Sequence, residues 1–152
     1  MLFRSLTSHF FGCIGQMMSV SIGAVVATNN KTPVVLVDGD ASVMMHLSEF
    51  ETAVRYGIPI LVIVMNNQAL GPEWFHAVQK KLADGLAQVA TPDIGKIGVA
   101  MGGRGRLARS LDELRAATEE WLLSPGPMIV DLRISKSVTP ITYRRMYLGL
   151  DD

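Results

Sequence analysis

The stretch VVLVDGDAS, Val34 to Ser42, sets two carboxylates, Asp38 and Asp40, directly behind an apolar run. Such a pair can serve two chemistries. In one, Asp38 attacks phosphorus and Asp40 acts as general acid and base of a phosphoryl transfer. In the other, Gly39-Asp40-Ala41-Ser42 is a turn that opens a helix, and the free amides of the first helical turn cradle a diphosphate. A hard divalent cation then bridges anion and protein. Magnesium takes near-octahedral oxygen coordination, usually with one or two protein carboxylates plus phosphate oxygens. Asp40 offers the carboxylate, and Asn67, behind the next apolar run, offers a neutral amide oxygen.

Strands and helices must hold these groups. Val34 to Val37 is short, β-branched and bounded by turn residues, which predicts a buried strand. Gly12 to Thr28 is expected to be a buried, small-residue helix packed on other backbone. Ser42 to Tyr56 reads as one helix, with Val43, Leu47, Phe50 and Val54 near 3.6-residue spacing and Gly57 at its end. Ile60 to Met65, apolar on both alternating faces, predicts a parallel strand covered from either side. The clusters Asp38 to Ser42 and Asn66 to Gly71 each follow a strand, where ligands bind in open α/β sheets, so they are expected to meet at one edge.

Further along, Pro72 to Leu82 and Pro92-Asp93 to about Met101 read as helices. Gly102 to Ser110 is a glycine-broken turn into a short strand. Ser110, three residues before Glu113, has capping-box spacing for a helix to about Leu123. Met128 to Ile134 is the last core strand, and the tail from Ser135, with the basic pair Arg144-Arg145, has no core periodicity. The fold class expected is α/β, a doubly wound, mainly parallel sheet with helices on both faces. Residues 1–152 are expected to form a single domain, by itself or as part of a larger protein.

Composition narrows the partners. Fourteen basic residues cancel 14 acidic ones in a chain of 152, so capture of a nucleic acid is not expected. Gln16, Ser19 and Ser21 interrupt the apolar segment Phe10 to Thr28, which argues against a membrane span or a leader. The single cysteine, Cys13, excludes an internal disulfide and fits a reducing, cytoplasmic setting; a small buried thiol is expected there.

The Asp-x-Asp opening resembles haloacid-dehalogenase-like phosphatases, with Asp38 and Asp40 in the two roles above. That resemblance stops at the next strand, where VIVMNN delivers Asn66 in place of a phosphate-holding Ser or Thr, and the later acidic pair is matched only by Asp151-Asp152. A longer match exists elsewhere. Gly39 to Gly71, GDASVMMHLSEFETAVRYGIPILVIVMNNQALG, resembles the Gly-Asp-Gly to Asn-Asn motif of thiamine-diphosphate-dependent enzymes of the acetolactate synthase and pyruvate decarboxylase superfamily, with 24 residues between Ala41 and Asn66. The resemblance implies that Asp40, the Asn67 side chain and the Ala69 carbonyl hold Mg2+. It places Gly39, Ala41 and Ser42 at the diphosphate and Leu70 and Gly71 beside them. Upstream, Gly12-Cys13-Ile14-Gly15 resembles the family's Gly-x-Met-Gly segment. By that resemblance the Gly12 carbonyl faces the aminopyrimidine, and Ile14 is the wedge that bends the cofactor. Two departures stand out. Ala41 replaces the third motif glycine, which is tolerable if φ there is negative; Gln16-Met17-Met18 replaces a Gly/Leu/Pro-like stretch and leaves the shape of the substrate pocket open.

Family chemistry implies a small 2-keto acid substrate, for a decarboxylase or a carboligase, and a glutamate that activates the cofactor from a separate pyrimidine-binding domain. Glu49, Glu51 and Glu73 are not expected to replace it, so the catalytic residue of this chain is unknown. The first strand-helix unit of relatives' diphosphate-binding domains is also unmatched. The expectation is an enzyme part completed by another domain or subunit in a homo- or hetero-oligomer, the alternative being a non-catalytic or truncated cofactor-binding fragment. His46, Gln68, Trp74, Phe75 and His76 are further candidates for a pocket wall.

Overall fold

The computed structural model describes residues 5–7 and 12–145, the side chain of Asp84 excepted. His9, Phe10 and the pair Asp151-Asp152 lie outside the described residues. Four parallel strands, β1 (Val34–Gly39), β2 (Ile60–Asn66), β3 (Arg104–Ala108) and β4 (Met128–Arg133), form one sheet in the order β1-β2-β4-β3. Helices lie on both faces, as the apolar runs required. On one face, α1 (Met17–Val26), α2 (Asp40–Met45), α3 (Glu49–Arg55) and α5 (Ile94–Ala100) bury Met18, Val25, Val43, Phe50 and Ile94 against Leu36, Ile60, Val62, Val64 and Ile129. On the other, α6 (Leu111–Leu123) sets Ala117 and Trp121 on Leu61, Met128, Val130 and Leu132.

Burial of β1 differs from expectation. The two-residue period of a strand sends Val34 and Leu36 to the first face and Val35 and Val37 to the second. The α6 contacts fall on β3 and β4. Val35 and Val37, in register with Leu61 and Ile63, are therefore 48% and 60% exposed. β1 is an edge strand with one bare apolar face.

Three helix boundaries also move. Helix α1 begins at Met17, because Gly12 and Gly15 adopt φ of +63° and +92°, outside the helical region. Only Met18, Ser21 and Val25 of α1 are buried, so it presents one stripe to the sheet and is not buried all round. The single helix expected over Ser42 to Tyr56 is broken: His46 leaves helical geometry at φ −128°, and Glu49 and Phe50 donate to His46 and Leu47 three residues back. That tighter turn lets Val43, Leu47 and Phe50 all reach the same core. Cys13, expected inside, is exposed.

Helix α6 starts as its spacing predicts. Ser110 Oγ accepts from the Glu113 amide at 3.2 Å, and Glu113 Oε2 accepts in return from the amide of Arg109, one residue earlier than in an ideal capping box. Helix α4 (Gly71–Gln79) follows β2, with Pro72 in its first turn. The tail is not featureless, since residues 134–140 return across the carboxyl end of the sheet to α7 (Ile141–Tyr143), whose Tyr143 ring stacks on Phe75 at 6.3 Å.

Candidate functional site

At the carboxyl ends of β1 and β2 lies a pocket of about 520 Å³. Its walls come from Asp38 to Ser42, from Met65, Asn67 and Ala69 to Glu73, from Ile14, and from Ile134 to Lys136, Val138 to Pro140 and Tyr143 of the tail. The two polar clusters thus meet, as parallel neighbouring strands must bring them together.

Asp40 is 1% exposed. Burial holds its carboxyl above the usual aspartate range, while hydrogen bonds from the Thr91 hydroxyl and from the amides of Asp40, Ala41 and Gln68 pull the other way. Thr91 Oγ1 lies 3.2 Å from Asp40 Oδ2 and 3.1 Å from Asn66 Oδ1, so its proton is shared between two acceptors. Among the described residues no Lys or Arg pairs with Asp40. A buried carboxylate without a cation is costly, and a bound metal ion would offset that cost.

The adjacent asparagines have different tasks. Asn66 is buried, and its Oδ1 accepts from the Gln68 amide at 3.1 Å; Asn67 lines the pocket, and its Oδ1 accepts from the Ala69 amide at 3.1 Å. Two successive Asx turns of this kind hold Gln68 at φ +57°, a conformation a glutamine rarely takes alone. They also set Asn67 and Ala69 side by side at the wall.

Asp38 is turned to other ends. Its Oδ1 accepts from the Gly39 amide at 2.8 Å and its Oδ2 from Ser42 Oγ at 2.5 Å. Ser42 Oγ in turn accepts from the Gly15 amide at 2.7 Å. Both Asp38 oxygens are engaged within the chain.

The family model described as the thiamine pyrophosphate enzyme, C-terminal TPP binding domain, matches residues 2–132. The chain belongs to that family. It is 30% identical over 149 residues to the mitochondrial acetolactate synthase catalytic subunit of Saccharomyces cerevisiae, covering 97% of this chain and 21% of that protein. To the acetolactate synthase isozyme 2 large subunit of Escherichia coli it is 29% identical over 133 residues, covering 86% of this chain and 24% of that one. The chain thus spans about a fifth to a quarter of these relatives. Its fold matches the crystal structure of benzoylformate decarboxylase from Polynucleobacter necessarius with a TM-score of 0.76 at 23% identity, over 86% of this chain and 25% of that one.

Thiamine diphosphate with Mg2+ is the cofactor of this thiamine pyrophosphate enzyme family. The donor set at the pocket suits such a pair. No group of three or more His, Cys, Asp or Glu side chains fit to hold a metal occurs among the described residues. The Asp40 carboxylate, with Asn67 and Ala69 at the same wall, would suit an oxygen-preferring ion. Ala41 lies within α2 and outside the positive-φ residues, so its methyl is accommodated.

Of the residues expected at the site, Ile14, Gly39, Asp40, Ala41, Ser42, Asn67, Ala69, Leu70 and Gly71 line the pocket; Gly12 does not. Phe75 lines it too, whereas His46, Gln68, Trp74 and His76 do not. Glu49 and Glu51 stand away on α3, Glu51 paired with Arg55, but Glu73 is at the wall. Two contributors were not legible in the sequence. Thr91 sits in an ordinary ATPD connection before α5, and the tail has neither periodicity nor motif. No helix among the described residues is long and apolar enough to cross a membrane.

Proposed function

We propose that this chain binds thiamine diphosphate and Mg2+ as the diphosphate-binding part of a 2-keto acid decarboxylase or carboligase, completed by another domain or chain. The observation that carries the reading is the convergence of Asp40 and Asn67, from the ends of two adjacent parallel strands, on one pocket, with the Asp40 carboxylate buried and paired with no Lys or Arg among the described residues. In this reading Asp40, Asn67 Oδ1 and the Ala69 carbonyl hold the metal. The backbone from Gly39 to Ser42, with Leu70 and Gly71 opposite, receives the diphosphate. Gly12 and Ile14 belong to the turn that faces the rest of the cofactor. When bound, the cofactor supplies an electron sink for cleavage or formation of a bond at the keto carbon. The chain's own residues bind and orient it.

Completion by a pyrimidine-binding domain or subunit, the source of the activating glutamate, is supported by the relatives' roughly four- to fivefold greater length. A strand-helix unit added beside β1, within the diphosphate-binding domain, would cover the bare Val35 and Val37. A homo- or hetero-oligomer acting on a small 2-keto acid in the cytoplasm completes the proposal. Calorimetric titration with thiamine diphosphate, with and without Mg2+, tests it. Magnesium-dependent binding that Asp40→Ala abolishes is the expected result; a folded wild-type chain with no binding, alone and with the rest of its enzyme, would overturn it.

A further inference from the structure

A chain of contacts leads from Asp38 through Ser42 to Gly15. A serine hydroxyl has one proton, and that of Ser42 goes to Asp38 Oδ2 at 2.5 Å, which turns its lone pairs to the Gly15 amide at 2.7 Å. A second observation marks the same junction as tightly fitted. A Cβ on Gly15 would stand 3.0 Å from Met45 Cβ and 3.2 Å from the Ser42 carbonyl oxygen, at a φ of +92° that disfavours any other residue. Gly15 is thus seated on α2 by a hydrogen bond and by contact. Ile14, immediately before it, is 46% exposed and forms part of the pocket wall.

We propose that Asp38 is a positioning residue that, by orienting the Ser42 hydroxyl, pins the Gly12 to Gly15 turn to α2 and holds Ile14 at the pocket wall. The cofactor reading above supplies the reason this matters, and the proposal rests on it there. Asp38 touches neither metal nor diphosphate in this account. Its carboxylate is a charged acceptor, which strengthens and directs the Ser42 bond, and Ser42 passes the orientation on to the backbone of the turn. The two aspartates of the Asp-x-Asp therefore divide the pocket: Asp40 serves its ion side and Asp38 its turn.

Amide hydrogen exchange of the full chain reads this without ligand. In Asp38→Ala the Gly15 amide is expected to exchange at least about tenfold faster, while residues 60–66 of β2 keep their protection. The double variant Asp38→Ala/Ser42→Ala should be no faster there than Ser42→Ala alone. Asp38→Asn, which keeps the volume and one acceptor oxygen, serves if the alanine variant loses β2 protection, and is expected to show a smaller acceleration. Unchanged protection of Gly15 in a folded variant, or additive effects in the double variant, would overturn the proposal. A second arm compares affinities with Mg2+ present. Asp38→Ala should weaken thiamine diphosphate more than inorganic diphosphate, because the turn faces only the part of the ligand beyond the diphosphate; equal loss of both overturns it. If the wild type binds neither ligand, the cofactor reading fails, and Gly15 exchange still decides whether Asp38 pins the turn.

Discussion

The Thr91 hydroxyl donates to Asp40 Oδ2 across 51 positions of sequence, at 3.2 Å, with Asn66 Oδ1 sharing the same proton at 3.1 Å. One side chain from a connecting turn therefore ties together the ends of β1 and β2. Its removal should be felt at the ion site before it is felt in the fold. Thr91→Val keeps the shape and loses the donor, and is expected to weaken Mg2+-dependent cofactor binding by roughly tenfold, about 1.4 kcal/mol for a hydrogen bond to a charged group. Thr91→Ser, which keeps the hydroxyl, should stay close to wild type. Titration calorimetry on the two variants checks the contrast.

Asp40 makes stability depend on pH with a definite sign. Its folded-state carboxyl titrates above the usual aspartate range because burial disfavours the charge. The folded chain therefore holds the proton in a window where the unfolded chain has lost it, and metal-free stability falls as pH rises through that window. Below the unfolded value the penalty is absent, and above the folded value it is fully present. Asp40→Asn should remove this dependence and raise the metal-free melting temperature at pH 7, while added Mg2+ and cofactor should stabilise only the wild type. Melting curves from pH 4 to 8 with and without ligand test both statements.

Helix α5 rests on β3 at backbone distance. A Cβ on Gly105 would lie 1.9 Å from the Gly95 carbonyl oxygen, and one on Gly95 would lie 2.6 Å from that of Arg106. Neither neighbour is a flexible side chain that could move aside. Gly105→Ala is expected to cost about 3 kcal/mol or more, since helix and strand must separate along their contact. Urea denaturation gives the number, and a loss below about 1 kcal/mol would show that the contact yields.

Val37 offers the opposite test. At 60% exposure on an edge strand it contributes little to the chain's own core, yet it extends the bare apolar face beside Ile63. Val37→Lys should change the chain's stability by no more than about 0.5 kcal/mol. It should also suppress concentration-dependent association. Sedimentation velocity over a range of concentrations distinguishes this from a face that attracts no partner.

Local patterns decided most of the architecture. The runs VVLV, ILVIVM and MIVDLRI became strands because short apolar, β-branched segments bounded by turns have few other stable options, and Ser110 capped its helix because that bond lies within three residues. The eight pocket-wall residues read from the Gly-Asp and Asn-Asn segments were legible for the same reason: strand ends in a parallel sheet share one edge. What the sequence could not state is which face of a strand finds a cover, and which distant side chain finishes a polar site. Exposure of Val35 and Val37 depends on where α6 lies, not on their own identities. Thr91 and Gly15 gain their roles only when chain segments 25 to 51 residues apart are brought within hydrogen-bond reach. Hydrophobic periodicity fixes which residues share a face, which is local along the chain, whereas which face is covered and which distant side chains become hydrogen-bond partners are properties of the folded arrangement, and only the tertiary structure decided them.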